Sequence, residues 1–300
     1  MSSDGDNEKS GIGRYFFELI GFVLLAFMAY QIIREVLKDD FSYGSDAIQN
    51  QQLILAPGIS VELLPSANGM ENTRFAHFDI SKEGAVLVSS GKQVYDLMSG
   101  DELFSTPVDV HAFAFVGEAL AIITEQGELG FYEEGKFRSV TSLKNNETGL
   151  IASSDRSRLF LYREAYDDSG ESPAIMSMRA GEKAITVTGS FTPIKTVAGD
   201  AFQTYYADGN AIYQVVTKGQ PSLLLALPDK QQLIRGLAAA GDALYFSTEK
   251  AVYLLDNDIA LPLVIGIGGE LRMSGADVYV LDSKNGRVYR MAVKSAEAKK

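Results

Sequence analysis

The chain has 300 residues, 46% hydrophobic and 22% charged, enough apolar sequence for the core of one large domain or two ordinary ones. It holds no cysteine, which excludes disulfides, thiolate metal sites and a cysteine nucleophile, and leaves membrane attachment to apolar sequence rather than to a lipid-modified cysteine. A net charge of −12 opposes nucleic-acid partners, whose phosphates are held by Lys and Arg.

After a polar tail (1–14), residues 15–33, YFFELIGFVLLAFMAYQII, run almost unbroken and apolar from Arg14 to Arg34. At 1.5 Å per residue, about 20 residues cross a hydrocarbon core of about 30 Å. Tyr15 and Tyr30 fall where amphipathic aromatics favour the headgroup region. The expectation is one transmembrane helix contacting the lipid bilayer. A cleaved signal peptide fits less well, because the run is long, Asp4, Asp6 and Glu8 precede it, and no small-residue cleavage pattern comes after it.

Glu18 interrupts the run, and a carboxylate in hydrocarbon carries a penalty. One turn inside the helix, it can reach back to the interface or protonate. Alternatively it pairs with a polar or basic group of another membrane subunit, which makes it the candidate membrane-partner contact. The α-amino group, Lys9 and Arg14 before the span outweigh Arg34 and Lys38 after it. The bias puts the N-terminus in the cytoplasm and the rest outside it, on the periplasmic side of the inner membrane in a bacterium. Residues 34–52 read as a polar linker.

From residue 53 the pattern changes to six hairpins. Their first strands are AVLVSS (85–90), LAIITE (120–125), RLFLYR (158–163), AFQTYY (201–206), ALYFST (243–248) and DVYVLD (277–282). Their second strands begin at 94, 129, 175, 212, 252 and 288, spaced by 35, 46, 37, 40 and 36 residues. Gly, Asn, Asp and Lys fill the turns, and β-branched and aromatic residues the strands. Units of this length have room for four short strands, the requirement of a propeller blade. The expected fold is all-β, a six-bladed β-propeller over 53–293 behind one N-terminal transmembrane α-helix. SKNGRVYRM (283–291), with Asn285-Gly286 as a type I′ turn signal, reads as the inner part of the last blade. LILAPGISVELL (53–64) has strand character, and only KSAEAKK (294–300) remains after the last hairpin. The early segment is therefore expected to supply the last blade's outer strand and remove an open edge.

DVYVLDSKNGRVYRM (277–291) resembles an NHL repeat. Asp282, Asn285, Arg287 and Val288 match that pattern, while Gly286 stands where the family usually has His. The likeness is looser in ALYFSTEKAVYLLD (243–256). WD40, Kelch and quinoprotein repeats lean on tryptophan, and this chain has none. The resemblance implies a six-bladed propeller and leaves the activity open, because NHL-type propellers include interaction platforms, RNA binders and some enzymes.

The only two histidines, His77 and His111, lie nine residues before Val86 and Leu120. They are expected on inner strands, facing the channel. The same register gives Leu150, Pro193, Arg235 and Gly269 or Glu270 in the other blades. Zinc needs three or four placed ligands; this ring offers two histidines and one carboxylate, so the pair reads first as repeated packing, and no metal or cofactor is expected. The acidic loop REAYDDSGES (163–172) lacks calcium-loop spacing and reads as a solvated loop, with a cation or partner contact as the alternative. SSGKQ (89–93) is no phosphate loop, and GIGG (266–269) lacks the third glycine of a dinucleotide fingerprint. The function expected from these features is a non-enzymatic, membrane-anchored interaction scaffold, an accessory subunit or assembly factor of a membrane complex. The alternative is an extracytoplasmic propeller hydrolase or lyase with a channel metal.

Overall fold

The computed structural model describes residues 42–43, 53–70, 73–133, 135–143, 148–163, 174–179, 185–189, 194–200, 202–216 and 220–293. The segment expected to cross the membrane, with Glu18, lies outside them, as does nearly all of the acidic loop. The chain divides into two units, 1–43 and 44–300.

The second unit is a six-bladed β-propeller, each blade a four-stranded antiparallel meander. Blade 1 comprises His77–Ile80, Val86–Ser90, Gln93–Asp96 and Glu102–Ser105, and blade 2 Val110–Val116, Ala119–Thr124, Glu128–Glu133 and Lys136–Ser142. Blade 3 comprises Thr148–Ala152, Leu159–Arg163, Ala174–Met178 and Ile185–Gly189, and blade 4 Thr196–Gly199, Thr204–Ala207, Ala211–Gln214 and Ser222–Ala226. Gly236–Ala240, Ala243–Ser247, Ala251–Asp256 and Ile259–Ile265 form blade 5. Gly269–Ser274, Asp277–Asp282, Val288–Val293 and Ile59–Leu63 form blade 6.

The hairpins visible in the sequence are the second and third strands of each blade. SKNGRVYRM therefore does not belong to the inner part of blade 6, whose inner strand is Gly269–Ser274. Inner strands such as TVAG (196–199) and GLAAA (236–240) are short and small because six backbones converge at the axis. Their low β-propensity hides them.

One cross-strand pair recurs in every blade between first and second strands: Phe78 with Val88, Phe113 with Ile122, Ile151 with Phe160, Val197 with Tyr206, Leu237 with Phe246 and Leu271 with Val280. All twelve side chains are buried. They form the repeating unit of the core, since no blade covers both of its faces alone. In blades 1 to 5 a bulge falls at one equivalent place between third and fourth strands, at Val94/Tyr95, Leu129/Gly130, Ile175/Met176, Ile212/Tyr213 and Val252/Tyr253. Bulges steepen the local twist.

The ring closes where the apolar segment before blade 1 predicted, with an addition. Ile59–Leu63 pairs antiparallel with Val288–Val293, from Val293 opposite Ile59 to Tyr289 opposite Leu63. Ahead of Pro57-Gly58, Ile54–Leu55 instead pairs with the outer strand of blade 5. The early segment thus staples two blades.

The turn at 283–287 also differs from expectation. Gly286 has φ 66° while Asn285 is not left-handed, so this is no two-residue type I′ turn. The Gly286 amide donates to Asp282 O and the Arg287 amide to the Asn285 side chain, giving a five-residue loop. A Cβ on Gly286 would lie 2.5 Å from Arg74 Cγ and 3.0 Å from Phe75 N. The type I′ geometry occurs instead at Asn257-Asp258 in blade 5, with φ 47° and 64° between the paired Asp256 and Ile259.

Candidate functional site

The six inner strands run in one direction along the channel, so the residues that open them share one mouth. His77 and His111 both lie there, their ring centroids 6.4 Å apart and tilted by 56°. They are not strict equivalents. The blade 2 pairing slips between Val110 and Ala112, so His111 is an inserted bulge residue and Ala112 occupies the His77 position. By backbone pairing, the equivalents of His77 elsewhere are Leu150, Thr196, Gly236 and Glu270. Leu150 is buried in the core; Pro193 lies outside the described residues; Arg235 sits one residue before its strand.

His77, His111 and Arg235 each face an acid. His77 Nδ1 lies 3.3 Å from Glu270 Oε1, and His111 Nδ1 3.3 Å from Glu125 Oε1. Arg235 pairs with Glu249. Burial pushes the Glu270 carboxyl up, but the Arg272 guanidinium, His77 and the Phe78 amide outweigh it and hold it below the usual carboxylate range. Among the described residues, no three His, Asp or Glu side chains stand close enough to share a metal ion.

Further in lies a group that carries no signal in the sequence. Asp79, on the inner strand of blade 1, is 1% exposed. Its Oδ2 accepts from the Phe115 amide of blade 2 at 2.7 Å and lies 3.4 Å from Arg156 Nη1 of blade 3. Its Oδ1 lies 3.6 Å from Arg272 Nε of blade 6. Arg272 also reaches Glu270 Oε2 at 3.6 Å and donates to Leu271 O. Its guanidinium sits 5.4 Å from the Phe78 ring centroid, and that of Arg156 5.7 Å from Phe115. One carboxylate thus ties four blades across the axis. The free space left beside it, bordered by Ala198, Gly199 and Leu237 from the other two blades, is about 20 Å³, on the scale of a single water.

Arg156 reaches the channel at a local penalty. It has φ 56° without being glycine, a conformation disfavoured by about 1–2 kcal/mol for side chains with a Cβ. The surrounding turn sustains it: Asp155 accepts from the hydroxyls of Ser153 and Ser157 and from the Ser157 amide, and the Gly117 amide donates to Arg156 O. Burial raises the Asp155 pKa, but these hydrogen bonds and Arg158 leave it lowered overall. SSDRSR carries the local signal, an Asp between serines; its destination across the ring is not written there.

The residues shared with the NHL pattern shape a loop. The Asp282 carboxylate accepts from the amides of Gly268 and Asn285, and Asn285 Nδ2 donates to the Tyr289 hydroxyl. Burial raises the Asp282 pKa, though the amides of Gly268, Lys284 and Asn285 oppose it. GIGG is a packing device: a Cβ on Gly269 would collide with the backbone oxygen of Leu281.

No protein-family model matches the sequence, and no curated protein matches it. Solved structures do match. A protein assigned as a gluconolactonase superposes with a TM-score of 0.59 at 12% identity, over 84% of this chain and 97% of its own. A Thermus thermophilus protein assigned as an oxidoreductase (glucose dehydrogenase) gives 0.54 at 11%, over 78% and 100%. The WD40 repeats of RRP9 give 0.51 at 10%, over 78% and 97%. At these identities the likeness establishes the propeller fold and carries no activity with it.

Proposed function

We propose that this protein is a membrane-anchored interaction scaffold, an accessory subunit or assembly factor of a larger membrane complex. The observation that carries this reading is the filled channel. Asp79, Arg156 and Arg272 converge as ion pairs across the axis, and the space left there is about 20 Å³, well below the roughly 300 Å³ of a small-molecule pocket. The propeller then offers its rims, where loops vary without disturbing the blades. The apolar run 15–33 supports anchoring in the bilayer, and Glu18 supports a polar contact to a neighbouring membrane helix, worth up to about 1–2 kcal/mol.

The test is affinity purification of the full chain in mild detergent. A membrane-protein partner should co-purify. Glu18→Leu should weaken its recovery while leaving the chain membrane-bound and the propeller folded. Recovery of the chain alone under every detergent condition would refute the reading. The paired histidines at the mouth are the feature an extracytoplasmic hydrolase or lyase would use. A turnover with bound metal, both abolished by His77→Gln with His111→Gln, would put that enzyme in the scaffold's place.

A further inference from the structure

The rim that carries the histidine mouth also carries a cleft between blades 5 and 6, about 740 Å³ in volume. Its walls come from the turn joining the second and third strands of each blade. Lys250 and Glu249 belong to blade 5 and Ser283 and Lys284 to blade 6, with Arg235 and Ile265 between them. The backbone here is pinned. The Gly266 amide donates to Lys250 O at 2.7 Å, the Ser283 amide to Gly268 O at 2.9 Å, and Arg74 Nη2 to Ser283 O at 2.8 Å.

The charge of the cleft runs against that of the molecule. The first 40 residues hold seven acids and four bases, so −9 of the total −12 belongs to the rest of the chain. Yet three cations line this cleft and Arg74 stands at its edge. The exposed acid among them, Glu249, is paired with Arg235. Lys250 and Lys284 are exposed and have no carboxylate within ion-pairing distance among the described residues; Lys284 feels Asp282, which is buried. Ile265 adds a 38% exposed aliphatic surface. Two unneutralised ammonium groups beside an aliphatic side chain, on a preformed backbone, suit an extended segment with carboxylates and a large apolar residue.

We infer that this cleft docks an acidic, leucine-containing segment of a protein partner, with Lys250 and Lys284 as the charge-reading residues and Ile265 as the apolar contact. The inference deepens the scaffold reading and rests on it. The probe is a fluorescein-labelled peptide of glutamates interspersed with leucine, titrated by anisotropy against the detergent-solubilised full chain. Saturable binding is expected at low ionic strength, weakening as salt screens the exposed charges. Lys250→Glu with Lys284→Glu should reduce affinity at least about tenfold, the loss of about 1.4 kcal/mol. Lys82→Glu with Lys136→Glu makes the same change in net charge on the opposite rim and should leave binding intact. Equal losses in both double variants, or no saturable binding, overturn the cleft. So does displacement of the peptide by polyphosphate at far lower concentration, which would reassign the site to phosphate groups. Co-purification on the same variants separates the two readings. A partner that stays fully bound to the Lys250/Lys284 variant overturns the cleft and spares the scaffold; no partner with the unaltered chain overturns the scaffold, whatever the peptide does.

Discussion

At the scale of single residues, Asp79 is the group on which most depends. Two guanidinium groups converge on it, and a buried charge that loses its partner destabilises strongly. Asp79→Ala should lower stability by about 3–5 kcal/mol, read as a fall in denaturation midpoint; a loss under about 1 kcal/mol would mean that the arginines are held by water and Glu270 and do not depend on Asp79. Two carboxyls should shape the acid response in opposite senses. Glu270 has a lowered folded pKa. Its stabilisation is present above the unfolded carboxylate pKa and is lost as pH falls through the folded value. Asp282 has a raised folded pKa, so its contribution is full below the unfolded value and is lost as pH rises through the folded one. Glu270→Gln should therefore flatten the acid-side decline of melting temperature. Asp282→Asn should remove an opposing rise, provided its amide keeps the Gly268 and Asn285 contacts. Melting curves from pH 3 to pH 7 distinguish the two; a steeper acid decline in Glu270→Gln would contradict the assignment.

At the scale of elements, the closing strand gives a direct test. Ile59 and Val293 are register partners on half-buried and exposed positions, and the chain has no cysteine to compete. Cysteines at both positions should form a disulfide, since this is a non-hydrogen-bonded pair, where the facing Cβ atoms approach to about 4.5 Å, near the reach of a disulfide. It would close a loop of more than two hundred residues, for which chain entropy predicts upwards of about 4.7 kcal/mol before strain is subtracted. Oxidised protein should melt several degrees above reduced protein; thiols that stay free under mild oxidant would show that the two strands do not pair. Legibility in the sequence obeys the same chemistry. The second and third strands carry bulky β-branched and aromatic residues, so AVLVSS or VYLL announce themselves. The inner strands of blades 4 and 5, TVAG and GLAAA, are short runs of mostly small residues and lose the signal. Asn285-Gly286 promised the wrong turn because the Asp282 and Asn285 side chains build a longer loop. The histidines stand out because they are the only two. Asp79, Arg156 and Arg272 do not, because an ion pair across the ring joins residues 77 and more positions apart, and no local pattern encodes that meeting.

At the scale of the whole molecule, the charge bias around the apolar run and the mouth of the propeller bear on one experiment. If 15–33 spans the membrane with its N-terminus in the cytoplasm, the C-terminus lies outside it. A C-terminal fusion to alkaline phosphatase, which folds only in an oxidising compartment, should then be active, and a fusion to a cytoplasmic fluorescent reporter dark. An inactive phosphatase fusion present at normal level would reverse the orientation, and a mature chain starting after residue 30 would remove the anchor. Once orientation is known, the histidines separate the two functional readings. His77 and His111 each face a glutamate at 3.3 Å, partners that glutamine can hydrogen-bond in their place. His77→Gln with His111→Gln should accordingly lower stability by no more than about 1–2 kcal/mol and leave partner recovery unchanged. A scaffold tolerates that exchange because its rims and its Asp79 tie are untouched. A catalyst or metal site at the mouth does not, because glutamine neither titrates near neutral pH nor replaces an imidazole nitrogen as a ligand.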